Sequence, residues 1–229
     1  MIRTIFKDLG LADYKKAWDI QQEFHNACLK QKMEAEDERE QYLLFCEHPH
    51  VYTLGKSGTY GNLLIPDEFL QKINATFYRI DRGGDITYHG PGQIVGYPIF
   101  DLEELGFGIR SYIEHMENSI ISTLSVFGIK GGRLEGATGV WITGENNGIE
   151  KICAIGVKVS RMVSMHGFAL NVNTNLDYFR YINPCGYQDK GVTSISRILG
   201  KELDMEEVKE VLKTELAKEF GLSFLESGK

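Results

Sequence analysis

Cysteine and proline are scarce in this chain of 229 residues, which has four cysteines and five prolines. The cysteines are far apart and form no C-x-x-C pair; they are Cys28, Cys46, Cys153 and Cys185. This spacing favours neither a zinc ribbon nor a disulfide framework, and we expect a reducing compartment. No Pro-rich linker, low-complexity tract or internal repeat divides the sequence, so we expect one continuous domain over residues 1–229.

Long hydrophobic runs and an excess of positive charge are also missing. No apolar run approaches the ~18 residues of a membrane span, and the N-terminal stretch lacks the basic, apolar and small-residue regions of a signal peptide. The chain has 25 Lys and Arg against 32 Asp and Glu, a formal net charge of −7. Such a charge argues against general affinity for nucleic acid or anionic lipid. We therefore expect a soluble, cytoplasmic protein that binds neither nucleic acid nor membrane.

The usual glycine motifs for phosphate binding are absent too, since neither G-x-G-x-x-G nor G-x-x-x-x-G-K-[ST] occurs. A different glycine-rich stretch, RGGDITYHGPGQ, covers residues 82–93 and follows a predicted strand. Its glycines permit unusual backbone angles, or the approach of a ligand to main-chain N–H groups. Glycine content alone leaves a structural turn and a ligand-binding loop equally open.

Hydrophobic periodicity predicts both helices and strands. Helical spacing covers 14–28, 109–124 and 204–220, with Gly128 ending the second helix and Asp204 capping the third. Strand-type runs cover 42–46, 51–54, 77–81, 93–100, 140–143, 152–159 and 167–172. The segment TGENNGIE between two of these runs suits a hairpin loop and favours antiparallel pairing. Because strands and helices do not alternate regularly, the sequence predicts an α+β fold.

A cysteine, a lysine and two histidines have side chains that could take part in catalysis. Cys185 stands between Pro184 and Gly186, which favours a turn that presents its thiol. Taken alone, Cys185 is compatible with a small buried hydrophobe, as most free cysteines are. Lys151 is compatible with a solvated lysine, and His89 and His166 with histidines that bond the backbone.

Six motifs, in order, resemble those of the lipoyl(octanoyl) transferase family of lipoate biosynthesis. They lie between His48 and Thr193 and read HPHVYTLG, RGGDITYHGPGQIVGYPIFDL, GVWIT, KICAIGVKVSR, MHGFALNV and INPCG. The resemblance implies a fold like the catalytic domain of biotin and lipoate protein ligases, with a mixed, largely antiparallel sheet and flanking helices. It also implies ping-pong transfer of an octanoyl group from octanoyl-acyl carrier protein to a lipoyl-domain lysine, without cofactor or metal. The implied acceptors are the lipoyl domains of 2-oxoacid dehydrogenase E2 subunits and the glycine cleavage H protein.

The resemblance assigns candidate site residues as well. Cys185 matches the family's acyl-thioester nucleophile, and Lys151 matches the lysine that lowers the pKa of that thiol. The segments implied to surround the acyl chain and its carbonyl comprise Arg82, Gly83, Gly84, Asp85, Ile86, Thr87, Tyr88, His89, Ala154, Ile155, Gly156, Gly167, Phe168 and Ala169. We expect supporting roles for Tyr88 and His89 and assign proton transfer to neither.

Acid–base chemistry supports a Cys/Lys pair. A free cysteine with a pKa near ~8.5 is only a few per cent thiolate at neutral pH, so it needs a nearby cation such as Lys151. In the second half-reaction the incoming lysine, with a pKa near ~10.4, must lose its proton before it attacks. Once Cys185 is acylated, desolvation favours neutral Lys151, which we expect to act as the general base.

Four alternatives remain open at this stage. An ATP-dependent lipoate ligase activates its acid as an adenylate and needs no nucleophilic thiol, whereas an octanoyl amidotransferase between lipoyl domains would use the same Cys/Lys pair. A papain-like hydrolase usually has its histidine after the cysteine, but all six histidines precede Cys185. A non-catalytic module would bind the same carrier proteins without chemistry.

Net charge sets a condition on docking. The expected partners are usually acidic, so a charge of −7 opposes association unless basic residues cluster near the site. The candidates for such a cluster are Lys56, Arg79, Arg82, Lys158, Arg161 and Lys190.

Overall fold

The structure, a computed structural model, describes residues 2–34, 39–144, 148–183 and 190–225. In chain order its strands are β1 (Ile2–Leu11), β2 (Gln41–Glu47), β3 (Val51–Leu54), β4 (Thr76–Arg79), β5 (Ile86–His89), β6 (Gln93–Ile99), β7 (Gly132–Leu134), β8 (Ala137–Thr143), β9 (Ile149–Ser160), β10 (Val163–Asn171), β11 (Gly191–Val192) and β12 (Leu222–Phe224). The large sheet has the order β12-β1-β2-β6-β10-β9-β8-β7, with β11 beside β9, and the small sheet has the order β4-β3-β5.

Five α-helices accompany the two sheets in the described part of the chain. They are α1 (Tyr14–Met33), α2 (Asp67–Lys72), α3 (Ile109–Val126), α4 (Ile195–Leu199) and α5 (Met205–Phe220). Asp204 caps α5 as predicted, because its carboxylate accepts a hydrogen bond from the N–H of Glu206. Gly128 has φ +75° just after the end of α3, the left-handed conformation expected beyond a helix end. None of the described helices is long and apolar enough to cross a lipid bilayer.

The two faces of the large sheet are covered by different helices. On one face, α3 and α5 pack against the strands, and Met116 and Leu212 join the same buried cluster as Phe45 and Leu170. On the other face, α1 contacts β6 and β10, and Ala17 is buried there. Beyond α1, the residues that precede β5 cross this second face, where the N–H of Gly83 donates to the carbonyl of Val157 in β9. The site described below lies in this crossing.

The predicted α+β fold with a largely antiparallel sheet is confirmed. Strands β2, β6, β10, β9, β8 and β7 pair antiparallel in succession, including the predicted β8–β9 pair. Residues 145–147 of the predicted hairpin loop lie outside the described residues, as do residues 35–38.

Five strands were not predicted, namely β1, β5, β7, β11 and β12, and the two longest of them are β1 and β5. Strand β1 pairs parallel with both β2 and β12, yet Thr4 is its only buried residue, so its sequence shows no alternation of apolar and polar residues. Strand β5 lies inside the glycine-rich stretch, and its pairing with β3 aligns Tyr88 with Tyr52. Both strands are stabilised by neighbours far away in the sequence, which local patterns do not reveal.

Candidate active site

The floor of the candidate site is a patch of small residues on two neighbouring strands. Ala154 of β9 pairs with Ala169 of β10, and Gly156 pairs with Gly167. Because the alanines have small side chains and the glycines have none, space is left on this face of the sheet. A cavity of about 470 Å³ opens there beside Ala154, Gly156 and Ala169. A Cβ atom at Gly167 would lie 2.2 Å from the carbonyl oxygen of Gly96, so no larger residue fits there without movement.

Residues 82–87 of the predicted 82–89 segment form the opposite wall, and all six of them line the cavity. Arg82 is 8% exposed, and its guanidinium donates to the carbonyl of Thr53 at 2.8 Å and to that of Gly83 at 3.0 Å. Gly84 has φ +86°, which explains the need for glycine in this loop. Arg82 therefore holds the shape of the wall from within.

Lys151 lines this cavity because β9 contains a bulge. Val140 pairs with Cys153 and the next residue, Trp141, pairs with Lys151, so Ile152 is an extra residue. Ile152 and Cys153 consequently both point into the core beneath α3 and α5. A regular strand would have put Lys151 on the same face as Cys153. The bulge instead puts Lys151 on the cavity face with Ala154.

Gly139 and Glu117 hold the bulge in place. Gly139 has φ +119°, and a Cβ atom there would lie 2.5 Å from the carbonyl oxygen of Cys153. Its N–H donates to the Glu117 carboxylate at 2.9 Å, and Arg133 Nε donates to the same carboxylate at 2.7 Å. Glu117 is only 5% exposed, so its charge requires these donors. This role could not be predicted, because in the sequence a buried glutamate on an amphipathic helix looks the same as a surface residue.

Replacing Gly139 by alanine should therefore displace Lys151. We expect the added Cβ to lower the free energy of unfolding by about 1–3 kcal/mol through the positive φ and the backbone clash. Misplacement of Lys151 by ~1 Å should lower the acyl-transfer rate by up to about 100-fold. Chemical denaturation and steady-state kinetics measure the two effects. Gly132→Ala is the matched control, since a Cβ there meets nothing within 4 Å; equal rates for the two variants would contradict this role of the bulge.

Trp141 orients the ammonium group of Lys151. The Nζ atom lies 4.5 Å from the centroid of the Trp141 ring, within range of a cation–π interaction. The ring is itself fixed, because Trp141 Nε1 donates to the carbonyl of Ala137 at 2.9 Å. Trp141 also lines the cavity, so the ring and the ammonium face the same space.

Three of the four cysteines are described, and all are buried free thiols. Burial raises the pKa of Cys28 to about 12 and the pKa values of Cys46 and Cys153 further. Cys153 is only two residues from Lys151, but it faces the core on the other side of the sheet. These three thiols are unsuited to nucleophilic attack. Cys185 lies outside the described residues, and Lys190, which follows it in the chain, lines the cavity.

The remaining predicted residues are near the site but differ in their environment. Gly167 and Phe168 line a smaller adjoining cavity, and the Phe168 side chain extends toward the core under α3 and α5. His89 is buried and also lines the smaller cavity; burial lowers its pKa to about 3, so the ring is neutral at pH 7. Tyr88 lines neither cavity, and its hydroxyl lies 2.7 Å from Nδ1 of His50.

A polar cluster fixes the start of the 82–87 wall. The Asp81 carboxylate accepts hydrogen bonds from His166 Nε2 at 3.0 Å and from Lys158 Nζ at 2.6 Å. The hydrogen bond from His166, followed by that from Lys158, holds the pKa of Asp81 well below its usual range. Burial lowers the pKa of His166. Because Asp81 directly precedes Arg82, His166 has a positioning role that its sequence context did not indicate.

Replacing Asp81 by asparagine should destabilise the protein in a pH-dependent way. A depressed carboxyl pKa contributes stability above the unfolded-state value near ~3.9, and this contribution is lost as the pH falls through the folded-state value. The difference in Tm between the wild type and Asp81→Asn should therefore be largest near pH 7 and shrink below pH ~4. Thermal unfolding at a series of pH values tests this. Asp177→Asn, at an exposed position, serves as control, and a difference for Asp81→Asn that stays constant with pH would contradict the prediction.

The expected cluster of basic residues is only partly present. Arg82 and Lys190 line the cavity, whereas Lys158 is paired with Asp81 and Arg161 contacts Met33 at 3.2 Å. The buried guanidinium of Arg82 forms hydrogen bonds inside the protein and does not serve as a docking charge.

Residues that line the cavity but were not predicted to do so include Gln93, Ile109, Ile113, Trp141, Asn171 and Phe179. Gln93, Trp141 and Asn171 lie within the motifs given above, so the motifs could have indicated these three residues as candidates.

The sequence and the fold agree with those of a known family. Residues 13–217 match the model of the lipoyl protein ligase A/B catalytic domain. The chain belongs to this family. It is 53% identical over 215 residues to an octanoyltransferase of Bacteroides fragilis, covering 94% of this chain and 97% of the relative. It is 51% identical over 227 residues to an octanoyltransferase of Cytophaga hutchinsonii, covering 96% of this chain and 93% of the relative. The predicted family is confirmed.

Solved structures show the same fold at low sequence identity. A bi-partite lipoate protein ligase from Thermoplasma acidophilum superposes with a TM-score of 0.71 at 14% identity, covering 99% of this chain and 87% of the other. A biotin protein ligase from Aquifex aeolicus superposes with a TM-score of 0.50 at 12% identity, covering 96% of this chain and 70% of the other. The predicted likeness to lipoate and biotin ligase catalytic domains is confirmed for the fold.

Proposed function

We propose that this protein transfers an octanoyl group from octanoyl-acyl carrier protein, through a thioester on Cys185, to the lysine of a lipoyl domain. The observation that carries the proposal is Lys151, which a strand bulge turns into a cavity floored by Ala154, Gly156 and Ala169. A cation beside a space with an apolar floor suits a thiolate nucleophile and an acyl chain.

Octanoyl transfer itself is the activity for which the relatives are named, at 50–53% identity over nearly the whole chain. The predicted class of enzyme, an acyltransferase, is thereby confirmed. Membership of this family also implies that the acceptor is, in general, a lipoyl domain. Several finer points remain parts of the proposal. They are the acyl carrier protein as donor, the E2 subunits of 2-oxoacid dehydrogenases and the glycine cleavage H protein as acceptors, a cytoplasmic location, and a single domain over residues 1–229.

Elimination supports Cys185 as the nucleophile. Cys28, Cys46 and Cys153 are buried, and burial raises their thiol pKa values, so none of them provides a thiolate near neutral pH. Cys185 is the remaining cysteine of the sequence, and it stands in a Pro-Cys-Gly turn motif. In the first half-reaction its thiolate attacks the octanoyl carbonyl, and the thiol of the carrier leaves.

Lys151 has two proposed tasks. As a cation it stabilises the thiolate of Cys185 before acylation, since an adjacent positive charge lowers the pKa of a thiol. As the carrier thiolate departs it takes the proton of Lys151, so that after acylation Lys151 is neutral and accepts a proton from the protonated amine of the incoming lysine. That amine attacks the thioester, forms an amide bond and releases the thiol of Cys185. Trp141 holds the Lys151 ammonium in the cavity before acylation.

Main-chain donors are available for the oxyanion of each tetrahedral intermediate. Small residues on β9 and the glycines of the 82–85 loop expose backbone to the cavity, and backbone N–H groups commonly stabilise such oxyanions. The N–H of Gly83 is already bonded to the carbonyl of Val157 at 2.9 Å, so Gly84 and residues nearer Cys185 are better candidates.

A reconstituted transfer reaction tests the proposal. Purified protein, octanoyl-acyl carrier protein and an unmodified lipoyl domain are incubated without ATP, and the mass of the lipoyl domain is followed. We expect the addition of one octanoyl group. A requirement for free octanoate, ATP and magnesium would favour the lipoate ligase alternative. Transfer only from an octanoylated lipoyl domain would favour the amidotransferase.

A further inference from the structure

A second cavity of about 50 Å³ adjoins the active-site cavity at the end away from Lys151. Six residues line both cavities: Arg82, Thr87, Ala154, Ile155, Gly156 and Ala169. Lys151 lines the large cavity but not the small one. Strands rise ~3.3 Å per residue, so Ala154, which lines both cavities, lies roughly 10 Å from Lys151 along β9. This distance is comparable with the extended length of an eight-carbon acyl thioester.

The far wall of the small cavity is formed by aromatic rings with fixed positions. His48 Nδ1 donates to the carbonyl of Ala12 at 2.7 Å, so its Nε2 accepts the hydroxyl hydrogen of Tyr97 at 2.7 Å. His89 Nδ1 donates to the side-chain oxygen of Gln93 at 2.8 Å. Tyr14 stacks on His89 with ring centroids 6.0 Å apart. Of these residues, Tyr14, His89 and Tyr97 line the cavity.

This wall resists a longer alkyl chain. His89 and Tyr97 are buried and hydrogen-bonded, so a chain that displaced them would leave polar groups unpaired inside the protein. An alkyl chain offers no hydrogen bond in return. A chain that ends before the rings, by contrast, contacts the small residues of the floor and aliphatic side chains, among them Ile155 of β9 and Val95 of β6, which line the cavity.

Val95 is positioned to contact the last carbons of the acyl chain. In the sheet Val95 pairs with Ala169, which pairs in turn with Ala154, so the three side chains form a row across the cavity floor. Val95 is 1% exposed, and its aliphatic side chain forms no hydrogen bonds. Its size can therefore change without removing a hydrogen bond from the rings behind it.

We propose that Val95, backed by the ring wall of Tyr14, His89 and Tyr97, determines the length of the acyl chain that the enzyme accepts. This inference rests on the proposed function, since it assigns the small cavity to the end of the transferred acyl group. It names a specificity-determining residue: the space in front of Val95 matches eight carbons, and a smaller residue at this position admits a longer chain.

The test compares kcat/KM for hexanoyl-, octanoyl- and decanoyl-acyl carrier protein in the wild type, Val95→Ala and Val95→Ile. One methylene in a hydrophobic pocket changes kcat/KM by about 10–200-fold. We expect Val95→Ala to raise the decanoyl/octanoyl ratio by at least ~10-fold and Val95→Ile to raise the hexanoyl/octanoyl ratio. Val163→Ala is the matched control, because Val163 is a buried valine of the same core cluster that lines neither cavity.

The outcomes separate this inference from the function on which it rests. If the wild type transfers octanoyl but Val95→Ala and Val163→Ala show the same chain-length profile, the inference is overturned and the proposed function stands. If the wild type transfers none of the three acyl groups, both fail. Opposite shifts in Val95→Ala and Val95→Ile support the inference, and either variant alone is informative if the other does not fold.

Discussion

Replacing Cys185 by alanine should abolish octanoyl transfer. Removal of a covalent nucleophile leaves no route through a thioester, and losses of at least ~10⁴-fold in kcat are typical of such variants. The rate of octanoylation of a lipoyl domain measures the effect. The folded state should be unaffected by the loss of one sulfur atom, which circular dichroism and thermal unfolding check.

Cys153→Ala is the matched control for this variant. Cys153 lies in the conspicuous KICAIG motif beside Lys151, but its buried thiol has a raised pKa and faces the core. We expect this variant to lose some stability through the small cavity it creates and to retain transfer near the wild-type rate. Full activity of Cys185→Ala together with an inactive, folded Cys153→Ala would reverse our assignment of the nucleophile.

Replacing Lys151 should separate the two half-reactions. Lys151→Arg keeps a cation in the cavity but supplies a group that does not lose its proton, because the guanidinium pKa exceeds ~12. This variant should form the acyl-enzyme and then fail to pass the octanoyl group on. Lys151→Met removes the cation, so both steps should slow by about 10²–10⁴-fold. Rapid-quench mass spectrometry of acylation and deacylation distinguishes the two patterns.

The pH dependence of acylation gives a second measure of Lys151. Loss of the cation should move the pKa that governs acylation upward, toward the ~8.5 of an unperturbed cysteine. Lys190, a second lysine that lines the cavity, provides the comparison. We expect Lys190→Met to keep the wild-type pH profile. A Lys151→Arg protein that transfers at the wild-type rate would remove Lys151 from the mechanism as a base.

Much of the fold was predictable because its central elements have strong local patterns. The helices that cover the sheet have long apolar stripes, and β3 was predicted at its observed bounds. Strand β1 escaped prediction because only Thr4 is buried, and β5 because glycines surround it. Parallel pairing of β1 with β2 and β12 depends on partners distant in sequence.

The site was predictable as a set of motifs but not as an arrangement. The motifs indicated Lys151 and the 82–87 wall, and both line the cavity. Regular alternation along β9 would have placed Lys151 with Cys153, and only the bulge, held by Glu117 on a distant helix, explains its true orientation. The ring wall brings Tyr14 to His89, a contact between residues on different elements that no local pattern encodes.

The acyl-enzyme is the central claim, and the intact mass of the protein tests it most directly. The protein is incubated with octanoyl-acyl carrier protein and no acceptor, in parallel with Cys185→Ala. We predict the gain of one octanoyl group that hydroxylamine removes, located on Cys185 by peptide mapping and absent from the variant. A folded wild-type protein that gains no octanoyl group from intact donor, or gains it equally in Cys185→Ala, would contradict the thioester mechanism.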